Sequence, residues 1–285
     1  MIPATPGDLI PIVRRLRAAG CVFAEDEARL LAAAAQTSAE LAAMVDRRVS
    51  GLPLEYVVGW AEFCGLRVEV SEGVFVPRRR SEFLARQAIA VAQPAAGTAG
   101  EAVRGQRRVV IADICCGSGA IGLAVASALG NADLYATDIE PAAVTCARRN
   151  LGRTGGHVYQ GDLYEPLPAS LRGQIDVLVV NAPYVPTGEM ALMPPEARFH
   201  EPVIALDGGS DGVAIHRRVA AGAPGWLAAN GHLLIETSAR QAELTAAAVA
   251  ASGLIASIAS DDDVDATVVI GATTGASGSG SEFRR

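Results

Sequence analysis

The sequence contains no lysine, since all 24 basic residues among its 285 are arginines. A P-loop and a Schiff-base enzyme both need a lysine, so these two classes are excluded. The five cysteines are an odd number and include no C-x-x-C pair. This argues against a disulfide framework and against a zinc cluster. We therefore expect no metal site, and a reducing cytoplasm as the compartment.

Long hydrophobic runs and an excess of positive charge are missing as well. No apolar stretch approaches the roughly 20 residues needed to cross a bilayer. The N-terminus lacks the basic segment and apolar run of a signal peptide. The net charge is −7, whereas proteins that grip nucleic acid phosphates usually carry basic excess. We expect no membrane contact, and nucleic acid is disfavoured as the direct substrate.

Helical patterns come first along the chain. One runs from Asp8 to Ala19, and a second from Ala24 to Val49 fits either one long helix or two. The alternating apolar residues from Leu66 to Val76, on both sides of a Ser-Glu-Gly turn, predict a β-hairpin. We predict a helical N-terminal domain with a hairpin linker over residues 1–80.

From Arg107 onward, short apolar strands alternate with helical segments, which indicates a doubly wound α/β sheet. Residues 93–106 are rich in Pro, Ala and Gly and predict an exposed loop, and the Gly/Ser-rich residues 274–285 predict a disordered tail. We expect one α/β domain over residues 81–273. Its seven strand candidates are Val109–Ile114, Leu134–Thr137, His157–Gln160, Ile175–Val180, His232–Glu236, Leu254–Ile258 and Thr267–Ile270.

A glycine-rich turn follows the first of these strands, in the segment VVIADICCGSGAIG. Gly117, Gly119 and Gly122 match G-x-G-x-x-G, a pattern that suits nucleotides, flavins and S-adenosylmethionine alike. Asp138 ends the next strand, at the position of a ribose-binding acid. Asp113, directly before the turn, would repel a pyrophosphate and attract an ammonium or sulfonium. These residues favour S-adenosylmethionine, unless Asp113 only caps the turn.

A second polar turn follows the strand Ile175–Val180, with the sequence Asn181-Ala182-Pro183-Tyr184. An amide or aromatic amine nitrogen is a poor nucleophile, so acceptors aimed at its two N–H bonds favour its methylation. The Asn181 side-chain oxygen and the Ala182 backbone carbonyl are suitable acceptors, and Tyr184 can stack on a planar group. The alternative is an ordinary turn with a packed tyrosine.

The Asn181–Tyr184 loop resembles the Asn-Pro-Pro-Tyr loop of the HemK/PrmC family of protein N(5)-glutamine methyltransferases, which modify translation release factors. The resemblance covers about Gly51 to Gly271. It includes Gly51-Leu52-Pro53-Leu54-Glu55-Tyr56, Val76-Pro77-Arg78, Gly161-Asp162-Leu163-Tyr164, Glu201-Pro202, Gly208-Gly209-Ser210-Asp211-Gly212 and Gly231-His232-Leu233-Leu234-Ile235-Glu236.

The resemblance implies a Rossmann-like class I S-adenosylmethionine-dependent methyltransferase fold with a seven-stranded, mainly parallel sheet. It implies that the N-terminal helices help to dock a protein substrate, with a peptide chain release factor as the candidate, and that the loop's catalytic residues are Asn181, Pro183 and Tyr184. The amide of the substrate would be held by Asn181, Ala182, Pro183 and Tyr184. The cofactor would contact Asp113, Cys115, Cys116, Gly117, Ser118, Gly119, Asp138, Asp162, Leu163 and Asn181.

Several positions depart from the family pattern. Ala182 replaces the first proline, Cys115 stands where the family has glycine, and Leu163 where it often has an aromatic. These changes suggest a divergent paralogue. Two alternatives stay open: a nucleic-acid adenine methyltransferase, which Arg78-Arg79-Arg80 would favour, and a non-catalytic S-adenosylmethionine-binding paralogue.

Overall fold

The computed structural model of the protein describes residues 6–96 and 107–273. The predicted tail, residues 274–285, and most of the predicted loop, residues 97–106, lie outside this range. The rest of that loop, residues 93–96, belongs to a helix, because the alanines around Pro94 let it continue. Within the described residues, none of the helices has the length and apolar character that a membrane crossing requires.

The chain begins with four helices, α1 (Pro6–Ala18), α2 (Ala24–Ala34), α3 (Ser38–Val49) and α4 (Leu54–Val58). The long helical pattern therefore forms two helices. The break is caused by a capping pair, because Thr37 Oγ1 accepts from Glu40 N at 3.1 Å and Glu40 Oε2 accepts from Gln36 N at 2.7 Å. The four helices have their own apolar core, which includes Leu16, Leu31 and Val45. The domain boundary at residue 80 stays a prediction.

The hairpin lies one strand earlier than we predicted. It joins β1 (Trp60–Phe63) to β2 (Leu66–Glu69) through Cys64 and Gly65. Both turn residues have positive φ, +50° and +72°, as a two-residue hairpin turn requires. The predicted turn at Ser71-Glu72-Gly73 is wrong as a hairpin turn. The residues after it line a cleft, and among the described residues they pair with no strand.

The rest of the chain forms a seven-stranded sheet with strand order β5-β4-β3-β6-β7-β9-β8. Neighbouring strands from β5 to β7 are parallel, and β9 is antiparallel to both of its neighbours. The predicted α/β fold class is confirmed. The strands are β3 (Val109–Ile114), β4 (Ala132–Asp138), β5 (His157–Gln160), β6 (Ile175–Val180), β7 (Leu227–Thr237), β8 (Ile255–Asp261) and β9 (Ala266–Ala272).

Helices cover both faces of the sheet, which explains why its central strands β3 and β6 are mostly apolar and almost entirely buried. The helices that pack on the sheet are α5 (Glu82–Ala96), α6 (Ala120–Leu129), α7 (Pro141–Leu151), α9 (Ala214–Gly222) and α10 (Ala242–Ala251), and a further short helix, α8 (Pro195–His200), lies between β6 and α9 in the chain. Val177 and Val179 of β6 pack with α5 and α6 on one face. Leu178 and Val180 pack with α9 and α10 on the other. Every position of β6 is buried as a result.

The topology fixes where a ligand can bind. The strand order changes direction between β3 and β6, because β4 and β5 lie on one side of β3 and the later strands on the other. At such a switch point the loops after neighbouring strands separate, and a crevice opens at the carboxyl edge of the sheet. The two polar turns singled out in the sequence both lie at this edge.

Candidate active site

A cleft with a volume of ≈ 290 Å³ opens at the carboxyl edge of β3, β4 and β6. One end, which we call the cofactor half, is formed by the turns after β3, β4 and β5. The other end, which we call the amide half, is formed by the turn after β6 and by the segment 73–81, which ends in one turn of 3-10 helix. Predicted site residues that line the cleft are Cys115, Cys116, Gly117, Ser118, Asp138, Asp162, Leu163, Asn181, Ala182, Pro183 and Tyr184.

The glycine turn lets the backbone itself form the wall of the cofactor half. Gly117 has φ +55°, and a side chain placed there would meet no atom within 4 Å, so it would project into open space at the cleft. Gly122 serves packing instead, because an added Cβ would lie 2.9 Å from both Asp113 and Leu134. The first glycine thus allows close approach by a ligand, and the last allows α6 to pack on the sheet.

Asp138 is held rigidly at the wall of the cofactor half. Its Oδ2 accepts from Gly117 N at 2.8 Å and its Oδ1 from Glu140 N at 3.0 Å. Burial raises the pKa of Asp138, while these N–H groups oppose the rise. A carboxylate has more acceptor sites than two N–H groups use, so Asp138 can still accept from a diol.

Two predicted cofactor residues do not reach the cleft. The Asp113 carboxylate is buried behind the turn, where Oδ2 accepts from Gly122 N at 2.9 Å. Gly119 is also outside the lining, since it begins α6 and packs against Leu151. The direct cofactor contact of Asp113 and Gly119 stays a prediction, although the Asp113 side chain faces α6 and neither residue lines the cleft. The capping alternative describes Asp113 better.

In the part of the chain that the structure describes, the buried carboxyl group of Asp113 has only one of its two oxygens hydrogen-bonded, and its pKa is raised. Its Oδ1 atom is buried and has no hydrogen-bond partner among the described residues. Burial raises the pKa of this carboxyl group to about 7, and the negative charge of Asp138 adds to the rise. The aspartate is therefore only partly ionised near pH 7, which weakens the charge argument that we made from the sequence.

Cys115 lies in the left-handed region with φ +59°, which side chains other than glycine rarely adopt. Both Cys115 and Cys116 line the cleft, and Cys115 also packs against the apolar core. Burial raises the pKa of both thiols, so neither is an activated nucleophile. The two cysteines act as small packing residues, as the sequence suggested.

The turn after β5 closes the cofactor half. Leu163 has φ +49° and is held by Thr137 Oγ1, which donates to its carbonyl oxygen at 2.8 Å. Its side chain is 9% exposed and lines the cleft. Asp162 lies beside it and pairs with Arg218 Nη2 at 2.6 Å. This wall thus combines an apolar surface with an acid whose charge is balanced by Arg218.

The amide half is built around Asn181. Asn181 Nδ2 donates to Ser81 Oγ at 3.2 Å, across 100 positions of sequence. Gln241 Nε2 donates to Tyr184 O at 2.7 Å and so anchors the far end of the turn. The Tyr184 ring lies 6.4 Å from that of the buried His216. Burial raises the pKa of Tyr184 to about 12, so its hydroxyl stays protonated.

Two arginines of the segment 73–81, Arg78 and Arg80, have acidic partners. Arg78 Nη2 lies 2.5 Å from Glu201 Oε1, and Arg80 Nε lies 3.6 Å from Glu236 Oε1. The side chains of both acids are at most 3% exposed. These pairs join the segment 73–81 to the rest of the cleft, so Arg78 and Arg80 do not form a free basic patch.

Sequence reasoning assigned no role to Ser81, Glu201 or Glu236, which surround the amide half. Glu236 gave a signal that could have been used, because an acid ends the apolar run of β7 as Asp113 and Asp138 end those of β3 and β4. Ser81 gave none, since its position at the cleft depends on how α5 packs on the sheet.

The residues of the cofactor half fit S-adenosylmethionine. Asp138 offers an acceptor for ribose hydroxyls, and the Cys116–Ser118 backbone allows the close approach of an amino-acid moiety. Leu163 and Ile139 supply apolar walls for a base. The cleft therefore provides acceptors and apolar contacts, and its glycine turn has no lysine or arginine for a pyrophosphate.

Comparison with known proteins places the chain among methyltransferases. Residues 101–207 match the methyltransferase small domain. The release factor glutamine methyltransferase of Geobacter sulfurreducens is 37% identical over 209 residues, covering 72% of this chain and 68% of that protein. The 4-amino-L-phenylalanine/4-methylamino-L-phenylalanine methyltransferase of Streptomyces pristinaespiralis is 34% identical over 209 residues, covering 73% and 69%. A Pyrococcus furiosus methyltransferase structure has a TM-score of 0.52 and 15% identity, over 74% of this chain and 90% of that one.

Proposed function

Because the chain belongs to the family of release factor glutamine methyltransferases and binds S-adenosylmethionine, we propose that it methylates a glutamine side-chain amide in a protein. The substrate that we propose is a peptide chain release factor, which the names of its relatives identify as theirs. The cofactor supplies an electrophilic methyl group. The residues of the chain hold the amide and the cofactor in line.

One observation carries this proposal, namely the hydrogen bond from Asn181 Nδ2 to Ser81 Oγ. With its NH₂ group engaged, the Asn181 amide has its oxygen left to accept from an N–H of the substrate. The Ala182 backbone carbonyl is a second acceptor at the cleft, and the replacement of proline by alanine does not remove it. Pro183 restricts Ala182 to extended geometry. Two acceptors suit the two N–H bonds of a primary amide.

Tyr184 supports the same assignment, because its ring can stack on the planar amide group of the substrate. Its ring lines the amide half and is fixed by Gln241, which holds the backbone at Tyr184 O. A flat ring is a suitable stacking partner for an amide plane. Positioning of this kind accounts for much of the rate of a bimolecular transfer.

A protein substrate needs contacts outside the cleft, because a glutamine side chain is short. The segment 73–81 both lines the amide half and continues from the hairpin, so the N-terminal region is a suitable docking surface. Val22 and Phe23, between α1 and α2, are 83% and 70% exposed and offer apolar contact area there. Separate docking raises the local concentration of the target loop.

The nucleic-acid alternative loses its main support. Arg78 and Arg80 are paired with Glu201 and Glu236, and the net charge is −7. A duplex substrate would also need base flipping and a basic groove. The non-catalytic alternative rested on Ala182 and Cys115, and the backbone acceptor at Ala182 is retained.

The experiment offers the enzyme labelled S-adenosylmethionine together with a release factor, RNA or 4-amino-L-phenylalanine. Peptide mass spectrometry locates the label, and Asn181→Ala serves as the negative control. We expect label on one glutamine of the release factor. Label on RNA or on the aromatic amine alone would contradict the proposal, and no label on any substrate would favour a non-catalytic paralogue.

A further inference from the structure

Glu236 lies behind the amide half, at the carboxyl end of β7, and does not itself line the cleft. It is 2% exposed and sits among three residues that do line it: Arg80, Ser81 and Tyr184. Burial raises the pKa of Glu236, while the nearby polar groups of Ser81, Arg80 and Tyr184 oppose the rise. The acid thus lies beside Tyr184, at one end of the amide-binding turn, and beside Ser81, which is the partner of Asn181 at the other end.

The contacts of Glu236 leave it with unused acceptor capacity. Arg80 Nε is 3.6 Å from Oε1, which is an ion pair but not a close hydrogen bond. Oε2 is buried and has no hydrogen-bond partner among the residues that the structure describes. A buried carboxylate oxygen in this situation strongly favours any neighbouring O–H that can turn toward it.

Ser81 is that neighbour, and a serine hydroxyl has a single proton. If the proton points to the acceptor-only carboxylate, Ser81 Oγ can only accept from its other neighbour. The other neighbour is Asn181, whose side chain has a donor end and an acceptor end. The donor end, Nδ2, lies 3.2 Å from Ser81 Oγ. The acceptor end, Oδ1, is left for the substrate.

We propose that Glu236 is a positioning residue which acts through the Ser81 hydroxyl to fix the end of the Asn181 amide that faces the substrate. This inference rests on the proposed function, because an exposed Oδ1 is useful only to a substrate that donates N–H bonds. The Tyr184 hydroxyl lies against the same acid and links the stacking ring to the same anchor. One buried charge thereby orients both groups that contact the amide.

The Glu236→Gln variant tests the proposal, since it keeps the shape and replaces one acceptor by a donor. A glutamine NH₂ group can donate to Ser81 Oγ, which frees the hydroxyl proton to bond Asn181 Oδ1 and turns the amide over. We expect kcat to fall by roughly 100-fold, the usual consequence of a misplaced catalytic group. The KM for the protein substrate and the Kd for S-adenosylmethionine should change by less than about twofold. Glu243→Gln, on the exposed face of α10, is the matched control.

A spectroscopic measurement separates this inference from the proposed function. The side-chain ¹⁵N–¹H signals of Asn181, assigned through Asn181→Ala, are recorded for the wild type, Glu236→Gln and Ser81→Ala without any substrate. We expect the signals to shift in both variants and to stay in place in Glu243→Gln. Unchanged signals, or a kcat that stays at the wild-type value, would overturn the proposal. So would a parallel loss of cofactor affinity, which would indicate general damage.

If the wild-type protein methylates no glutamine, the proposed function fails, and the signals still decide whether Glu236 orients Asn181.

Discussion

The two halves of the cleft satisfy their polar groups in different ways. In the cofactor half, backbone N–H groups supply the hydrogen bonds, since Gly117 N and Glu140 N donate to the two carboxylate oxygens of Asp138. In the amide half, side chains hold one another, as Ser81 holds Asn181 and as Arg80 lies beside Glu236. The first arrangement is rigid because it is part of the sheet edge. The second depends on each of its members.

The two halves also differ in how far apart their hydrogen-bonded residues lie along the sequence. The partners of Asp138 lie 2 and 21 positions away, within one β-α-β unit. Asn181 and Ser81 are 100 positions apart, and Glu201 is 123 positions from Arg78. We infer that the cofactor half forms with the strands that flank it, whereas the amide half requires the whole domain.

The largest effect is expected from Asn181→Ala, which removes the proposed amide acceptor. A preorganised group of this kind contributes about 10²–10³-fold to the rate, so kcat should fall by that factor while cofactor affinity stays unchanged. Single-turnover kinetics and calorimetry measure the two quantities. Asn131→Ala, at the opposite edge of the sheet, is the control. Equal losses of rate and affinity would show that the two halves do not act separately.

Asp138→Ala should produce the converse result, with a weaker cofactor and little change in the turnover of the saturated enzyme. Hydrogen bonds to a charged acceptor contribute about 1.5–3 kcal/mol, which corresponds to roughly 10–150-fold in Kd. Isothermal calorimetry with S-adenosylmethionine measures it. Asp133→Ala changes an exposed acid of the same strand and should leave Kd unaltered. An unaltered Kd in Asp138→Ala as well would mean that another group binds the ribose.

Asp113→Asn tests whether the buried acid behind the cofactor half lowers the stability of the folded protein. Burial raises the pKa of Asp113 to about 7 in the folded protein, well above the ordinary value of 3.8. A folded pKa above the unfolded one contributes stability that is present at low pH and is lost as the pH rises toward and past 7. The wild type should therefore lose at least about 1.4 kcal/mol relative to the variant between pH 5 and 8, the equivalent of one pKa unit.

Urea unfolding of Asp113→Asn and the wild type at both pH values gives this difference directly. Parallel pH dependence of the two proteins would contradict the prediction.

Cys115→Gly should have the smallest effect and the opposite sign. A left-handed conformation destabilises a residue that has a side chain by about 1–2 kcal/mol, and glycine removes this strain. The greater conformational freedom of glycine in the unfolded chain offsets part of the resulting stabilisation. We expect the free energy of unfolding to rise by about 0.5 kcal/mol. Cys116→Gly is the control and should destabilise, because Cys116 is buried and has no positive φ. Thermal unfolding of the two variants decides between them.

Much of the fold follows from local patterns. The bounds of β3, β5 and β6 agree with the predicted strands, because each is a short stretch of β-favouring residues that ends at a polar turn. The hairpin was misplaced by one strand because its turn contains Cys64, whose positive φ no local preference predicts. The strand β7 extends well before the predicted His232, since Leu227 pairs with Ile175 beyond a register shift.

The sequence by itself determined the order of strands and helices, the glycine turn and the polar loop at Asn181, because each depends on neighbouring residues and on the periodicity of apolar side chains. Only the tertiary structure decided that Asp113 faces α6 and that Glu236 lies behind Ser81. The physical reason is that hydrogen-bond partners in a buried network are selected by packing. Helix α5 must lie on the sheet before Ser81 can reach Asn181.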